Sequence, residues 1–159
     1  MRNREGILEL IADIRTNMAV LSQLDEHAAH VETVELPLLG KTRSSALIVA
    51  GVVENHYTCV ETILLRISQF FENNLRPDKW HQELLRKSAL RIEGVREAAV
   101  SGPTRDILDE LLRFRHFKRY YFRLDYDWDR LELLLKKLRQ VKPLLRADLA
   151  AFLAFLESL

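Results

Sequence analysis

The chain has a single cysteine in 159 residues, Cys59, so it can build neither a disulfide framework nor a cysteine-rich metal site. One lone thiol fits a reducing compartment, and the expected location is cytoplasmic. The five glycines are spread singly, which excludes a glycine-rich phosphate loop. No apolar run approaches the roughly 20 residues that span a bilayer, and no membrane partner is expected. The opening Met1-Arg2-Asn3-Arg4-Glu5 leads into a charged amphipathic segment rather than a signal-peptide core. The net charge is only +1, so any attraction to an anionic partner has to come from local clustering. No stretch alternates with period two for long enough to make a strand.

What is present is globular composition, 48% hydrophobic and 30% charged, in a length that suits one domain spanning 1–159. Residues 3–26 carry Ile7, Leu8, Ile11, Ile14, Met18, Leu21 and Leu24 at helical spacing. The pattern lapses between Asp25 and Lys41, where Pro37 and Gly40 mark a break. From Thr42 to Leu75 apolar residues recur at three and four, through Leu47, Ala50, Val53, Tyr57, Val60, Leu64, Ile67 and Phe71. This is the strongest helical pattern in the chain and the expected spine. Asp78 opens a shorter helix with Trp80, Leu84, Leu85 and Leu90 on one face. Thr104 is the expected N-cap of a helix running to Phe122, with Asp106 and Asp109 near its positive end. Asp127-Trp128-Asp129 starts a last helical region from Leu131 to Leu156, which Pro143 is expected to break or kink. The fold class is all-α, an up-and-down bundle of about five helices.

One stretch departs from this balance. Residues 113–123, Arg-Phe-Arg-His-Phe-Lys-Arg-Tyr-Tyr-Phe-Arg, hold cations, aromatics and a histidine with no acid among them. Projected at roughly 100° per residue, Arg115, Lys118 and Arg119 fall on the side where Ile107, Leu108, Leu111, Leu112 and Phe114 lie. Tyr121 and Phe122 return to that side. Burying a bare guanidinium costs several kcal/mol, so Arg115 is expected at the bundle rim, in a cleft or at an oligomer interface. Two readings follow. The cations are solvated or paired with acids such as those of Asp125 to Glu132, or they hold phosphate or an acidic partner.

Other chemistry-bearing residues point nowhere as sharply. His27, His30, His56 and His81 lack the spacing of a zinc site. Asp127 and Asp129 are better explained as a helix cap than as a metal pair, Cys59 as a small buried hydrophobe, and Trp80 and Trp128 as core or interface anchors. Glu61, near the oily stripe, suits a salt bridge at the bundle edge. Neither a metal nor a cofactor is expected.

At the cationic helix, Leu108-Asp109-Glu110-Leu111-Leu112-Arg113-Phe114-Arg115-His116 resembles the lead-in to the signature of the HEPN superfamily, and within it of the HepT-like ribonuclease toxins. That signature is Arg, then four to six residues, then His, often followed by x-Tyr. His56-Tyr57-Thr58-Cys59-Val60-Glu61 and Trp80-His81-x-x-Leu84-Leu85 are similar to further segments of the same branch, so the resemblance covers roughly residues 42–138. It implies a homodimeric, metal-independent endoribonuclease, in which a 2′-hydroxyl attacks the adjacent phosphate. The implied partner is a minimal nucleotidyltransferase (MNT) antitoxin.

Arg115 stands at the signature Arg, but Tyr120 occupies the His position and Phe122 the Tyr position. A phenol, near ~10 in water, replaces an imidazole, near ~6.5, poorly as a proton exchanger at neutral pH. His116 is the nearest imidazole, rotated by about 100° on the helix. The implied catalytic residues are Arg115, His116 and Tyr120. The implied RNA contacts are Arg113, Lys118, Arg119, Tyr121 and Arg123, and Tyr120 or Tyr121 is the candidate for nucleotide modification by the antitoxin. The alternative is a non-catalytic module that binds RNA, a nucleotide or the nucleotidyltransferase. A blander reading is a bundle whose role is dimerisation.

Overall fold

The computed structural model describes residues 3–159, so Met1 and Arg2 of the opening charged segment lie outside the described residues. It is an all-helical bundle: α1 (Arg4–His30), α2 (Leu36–Leu39), α3 (Arg43–Phe71), α4 (Trp80–Ser88), α5 (Gly102–Tyr120) and α6 (Trp128–Glu157). Among the described residues there is no strand, only an isolated bridge between Ile92 and Arg96. The expected fold class is the observed one.

The first helix outruns its apolar pattern. α1 passes through a π turn at Val31–Glu35 directly into α2. The N–H of Leu36 bonds the carbonyl of Val31, five residues back, so the widened turn leads into Pro37, which has no N–H of its own. Pro37 is therefore no break. Gly40 is, at φ 71°, a conformation that disfavours a side chain.

α3 starts from a reciprocal cap. Ser45 N–H donates to Thr42 Oγ1 at 3.0 Å, and Thr42 N–H donates to Ser45 Oγ at 2.8 Å. The helix touches α1, α4, α5 and α6, which makes it the spine. Ala50, Val53, Tyr57, Val60, Leu64, Ile67 and Phe71 are buried, whereas Leu47 near its start is exposed. α4 buries Leu84 and Leu85 and begins at Trp80, two residues later than the sequence suggests; Leu90 lies beyond its end and is exposed.

The α4–α5 connection is built around Arg96, which is buried. Its guanidinium donates to Glu72 Oε1 at 3.0 and 2.7 Å and to the carbonyls of Lys87, Leu90 and Glu97. α5 begins two residues before Thr104, with Ser101 as its cap. Ser101 Oγ accepts the Thr104 N–H, and Pro103 sits in the first turn, where no intrahelical partner is needed. Asp148 of α6 accepts from the Ser101 N–H at 2.9 Å and from the Ser101 and Thr104 hydroxyls, fastening that end.

The far end of α5 also differs from the expected span, stopping at Tyr120. Tyr121 turns extended and Leu124 is left-handed at φ 58°. The Tyr121 phenol donates to the Asp125 carbonyl at 2.7 Å and its ring stacks on Phe117, so side-chain contacts fix the turn. Tyr121 and Phe122 thus leave the helix and do not extend its face. α6 runs through Pro143 without interruption; that residue is on the exposed side, where the carbonyl it leaves unbonded can be hydrated. Leu131, Leu134, Leu135, Leu138, Val141, Leu145, Leu149, Phe152 and Leu156 are buried as the pattern requires.

Candidate functional site

α3 and α5 run side by side in opposite directions, since Lys118 meets Glu54 while Arg115 meets Glu61, seven residues further along α3. The projection onto the inward face of α5 therefore holds for Arg115 and Lys118 but not for Arg119, which is exposed. Arg115 forks onto the carboxylate, Nη1 donating to Oε1 at 3.1 Å and Nη2 to Oε2 at 3.0 Å. Nη1 also reaches Thr58 Oγ1 at 3.2 Å, and the cation lies 4.7 Å from the centre of the Tyr57 ring. Side-chain exposure is 17% for Arg115 and 7% for Glu61, so the pair sits at the rim of the bundle but largely out of water. Burial, reinforced by the Glu61 carboxylate, pushes the Tyr57 phenol far up, so it stays neutral beneath the cation.

A third group completes the cluster. His81, at the start of α4, places Nδ1 2.9 Å from Glu61 Oε2 and 3.0 Å from Arg115 Nη2. The Trp80 ring lies against the imidazole, 3.7 Å between centroids at 32°. Three helices therefore meet through one carboxylate: Glu61 from α3, His81 from α4 and Arg115 from α5.

The residues expected to share a catalytic centre separate. Arg115 turns inward, while His116 and Tyr120 pair with each other on the exposed side of α5, 5.3 Å between ring centroids. Four residues apart, they share a helix face that Arg115 does not. Arg119 is exposed, 5.9 Å from the centre of the Tyr120 ring. Arg113 is exposed and pairs with Asp109 at 2.8 Å, Lys118 reaches Glu54 at 3.5 Å, Tyr121 is half-buried in its stack, and Arg123 is exposed beyond the helix. Among the described residues the acids that pair with the cations of the 113–123 stretch are thus Glu54, Glu61 and Asp109, not those of the 125–132 stretch; Glu132 instead binds Lys41 at 2.6 Å.

Glu61 makes the rim salt bridge expected of it. His56 is buried on Asp25 at 3.1 Å, a packed and hydrogen-bonded histidine. Asp127 caps α6, accepting from Asp129 N–H at 3.0 Å. Cys59 is half-buried and burial raises its thiol. Among the described residues no group of His, Cys, Asp and Glu is placed to hold a metal ion. No helix there is long and apolar enough to cross a membrane.

With this geometry in hand, a family model described as HepT-like protein matches residues 48–156, from the first turns of α3 to the end of α6. The chain belongs to the HepT-like family of the HEPN superfamily. The match leaves out α1 and extends further into α6 than the local motifs do. No curated protein and no solved structure matches the chain.

In this HepT-like protein, sequence reasoning found Arg115 and Glu61 separately and did not join either to His81. The available signal was a charge of each sign on an oily helix face. Such charges are tolerated when they find one another. The imidazole carried no such signal, because α4 reaches the site through a turn that has no periodicity to read.

Proposed function

We propose that this chain, acting as one domain over 1–159, is the toxin component of a toxin–antitoxin pair and cleaves RNA without a metal ion. The reading takes it as a homodimer, with the α5 helices of two copies flanking a cationic cleft, and an MNT-type nucleotidyltransferase as antitoxin. The observation that carries it is the position of Arg115. Its guanidinium lies at the rim of a half-open cluster, next to the exposed cationic and aromatic surface of Arg113, His116, Arg119, Tyr120 and Arg123. Cations at such a surface neutralise phosphates, and aromatic side chains stack on unpaired bases. Tyr120 has its hydroxyl on the exposed side, whereas the Tyr121 phenol is held by Asp125, so Tyr120 is the better acceptor for nucleotide modification.

The test is purified protein on single-stranded RNA with a chelator present. Cleavage by wild type that disappears in Arg115→Ala supports the reading, and an inert wild type sinks it. One observation favours a second reading. Glu61 takes two of the Arg115 bonds, as expected if Arg115 is an architectural tie in a module that binds RNA, nucleotide or nucleotidyltransferase without cutting. RNA affinity that falls steeply with salt, with no cleavage, is the signature of that module.

A further inference from the structure

We propose that His81 takes the proton from the attacking 2′-hydroxyl and that Glu61 positions it. The proposal rests on the ribonuclease reading and gives it a catalytic residue outside α5. Nδ1 of His81 is within hydrogen-bond distance of two groups, Glu61 Oε2 at 2.9 Å and Arg115 Nη2 at 3.0 Å. A carboxylate only accepts and a guanidinium only donates. Nδ1 has a single in-plane site, so it serves one of them. If it accepted from Arg115, its lone pair would face the lone pairs of Glu61 at 2.9 Å. If it carries the proton, His81 and Arg115 both donate to Glu61, and every close contact is satisfied.

That choice leaves the lone pair on Nε2. This nitrogen has no partner among the described residues, on a side chain that is 38% exposed. The Trp80 ring covers the imidazole and restrains its tilt. Nε2 is then an unpaired base held by a buried carboxylate at the opposite nitrogen, the arrangement in which an orienting carboxylate sets the tautomer of a general base. The Arg115 Nε–H makes no hydrogen bond among the described residues and can donate to a phosphate oxygen beside it. No other imidazole shares this cluster, since His116 faces Tyr120.

In the proposed step the 2′-hydroxyl proton moves to Nε2 and the O2′–P bond forms. The P–O5′ bond breaks, and its electron pair leaves on O5′, which takes a proton from water. The resulting hydroxide recovers the proton from the imidazolium. The products are a 2′,3′-cyclic phosphate and a 5′-hydroxyl end. The step needs no imidazole at position 120.

The charged and titratable groups around His81 are Glu61 from α3 and Arg115 from α5, with Tyr57 beneath Arg115 and Asp109 of α5 acting on Tyr57. The decisive variant is His81→Asn, whose side-chain amide can still donate to Glu61 but exchanges no proton. Expected is a loss of RNA cleavage of ~10²–10⁴-fold with unchanged thermal melting, and loss of the acidic limb of the kcat/KM profile against pH. In Glu61→Gln the amide oxygen can still accept from Nδ1–H and from Arg115 Nη2, but the negative charge that steadies the imidazolium is gone, so the rate falls although the imidazole remains. Free imidazole in the buffer restores cleavage to His81→Ala, an effect that a merely structural role would not produce. Wild-type rates in His81→Asn overturn the assignment while leaving the ribonuclease reading intact. If His81→Asn melts early, rescue of His81→Ala decides: recovery supports the proposal and its absence overturns it. If wild type leaves RNA uncut, the ribonuclease reading falls first and this assignment with it.

Discussion

Two histidine–carboxylate pairs sit on α3, and they differ in one respect. His56 donates to Asp25 at 3.1 Å with side-chain exposures of 2% and 7%, and Arg146 closes the outer side of Asp25 at 3.9 Å. The other ring nitrogen of His56, Nδ1, is also buried and has no partner. His81 makes a similar bond to a carboxylate equally buried, at 2.9 Å, but its side chain is 38% exposed and its second nitrogen has no partner among the described residues. The first pair ties α1 to α3 and has no route for a proton. The second pair has one. The pairing chemistry is common to both, and access to the remaining nitrogen separates structure from chemistry.

The largest expected effect comes from breaking the sealed pair. Asp25→Ala leaves the His56 Nε2–H buried without an acceptor, at a cost of about 1–3 kcal/mol. A lowered urea midpoint with unchanged slope would register this; an unchanged midpoint would show that water repairs the site. A smaller, kinetic contrast is chemical. Diethyl pyrocarbonate, which acylates accessible unprotonated imidazole nitrogens, should modify His81 in the folded protein and His56 only after unfolding. Mass-spectrometric mapping that finds both labelled at one rate would erase the distinction.

The smallest effect is acid-dependent. The N–H of Arg76 donates to Glu83 at 3.0 Å and, with Lys87 adding to it, holds that carboxyl below the ordinary value of 4.5. A depressed carboxyl stabilises the fold above its unfolded value and loses that contribution as pH falls through the folded one. Below about pH 4.5 the tether at the start of α4 should therefore loosen, so amide exchange in α4 should rise before exchange around His56. Glu83→Gln should remove that acid sensitivity.

The spine and the last helix were legible because their apolar residues recur over many turns and packing bears them out. The ends of α5 were not. Thr104 looks like a cap, but Ser101 and Pro103 open the helix earlier and leave Thr104 free to bind Asp148. The exit depends on Leu124 in a left-handed conformation and on the Tyr121 phenol, which no 3.6-residue pattern encodes. Pro37 and Pro143 look like breaks but are absorbed, one by a π turn and one on an exposed face. At the candidate site Arg115 was legible as a cation on the wrong face. Its joining to His81 was not, because it depends on where α4 is carried by the 72–79 turn.

Arg96 gives that cluster a dependence on distance. Three main-chain carbonyls, those of Lys87, Leu90 and Glu97, converge on one guanidinium anchored to the end of α3. The link between α4 and α5 therefore has a gauge length fixed by a single side chain. A residue added between 88 and 97 would pull a carbonyl off that guanidinium or displace α4 as a rigid piece, carrying His81 away from Arg115. A solvent-facing connection of this kind tolerates changes in its outward side chains and none in its number of residues.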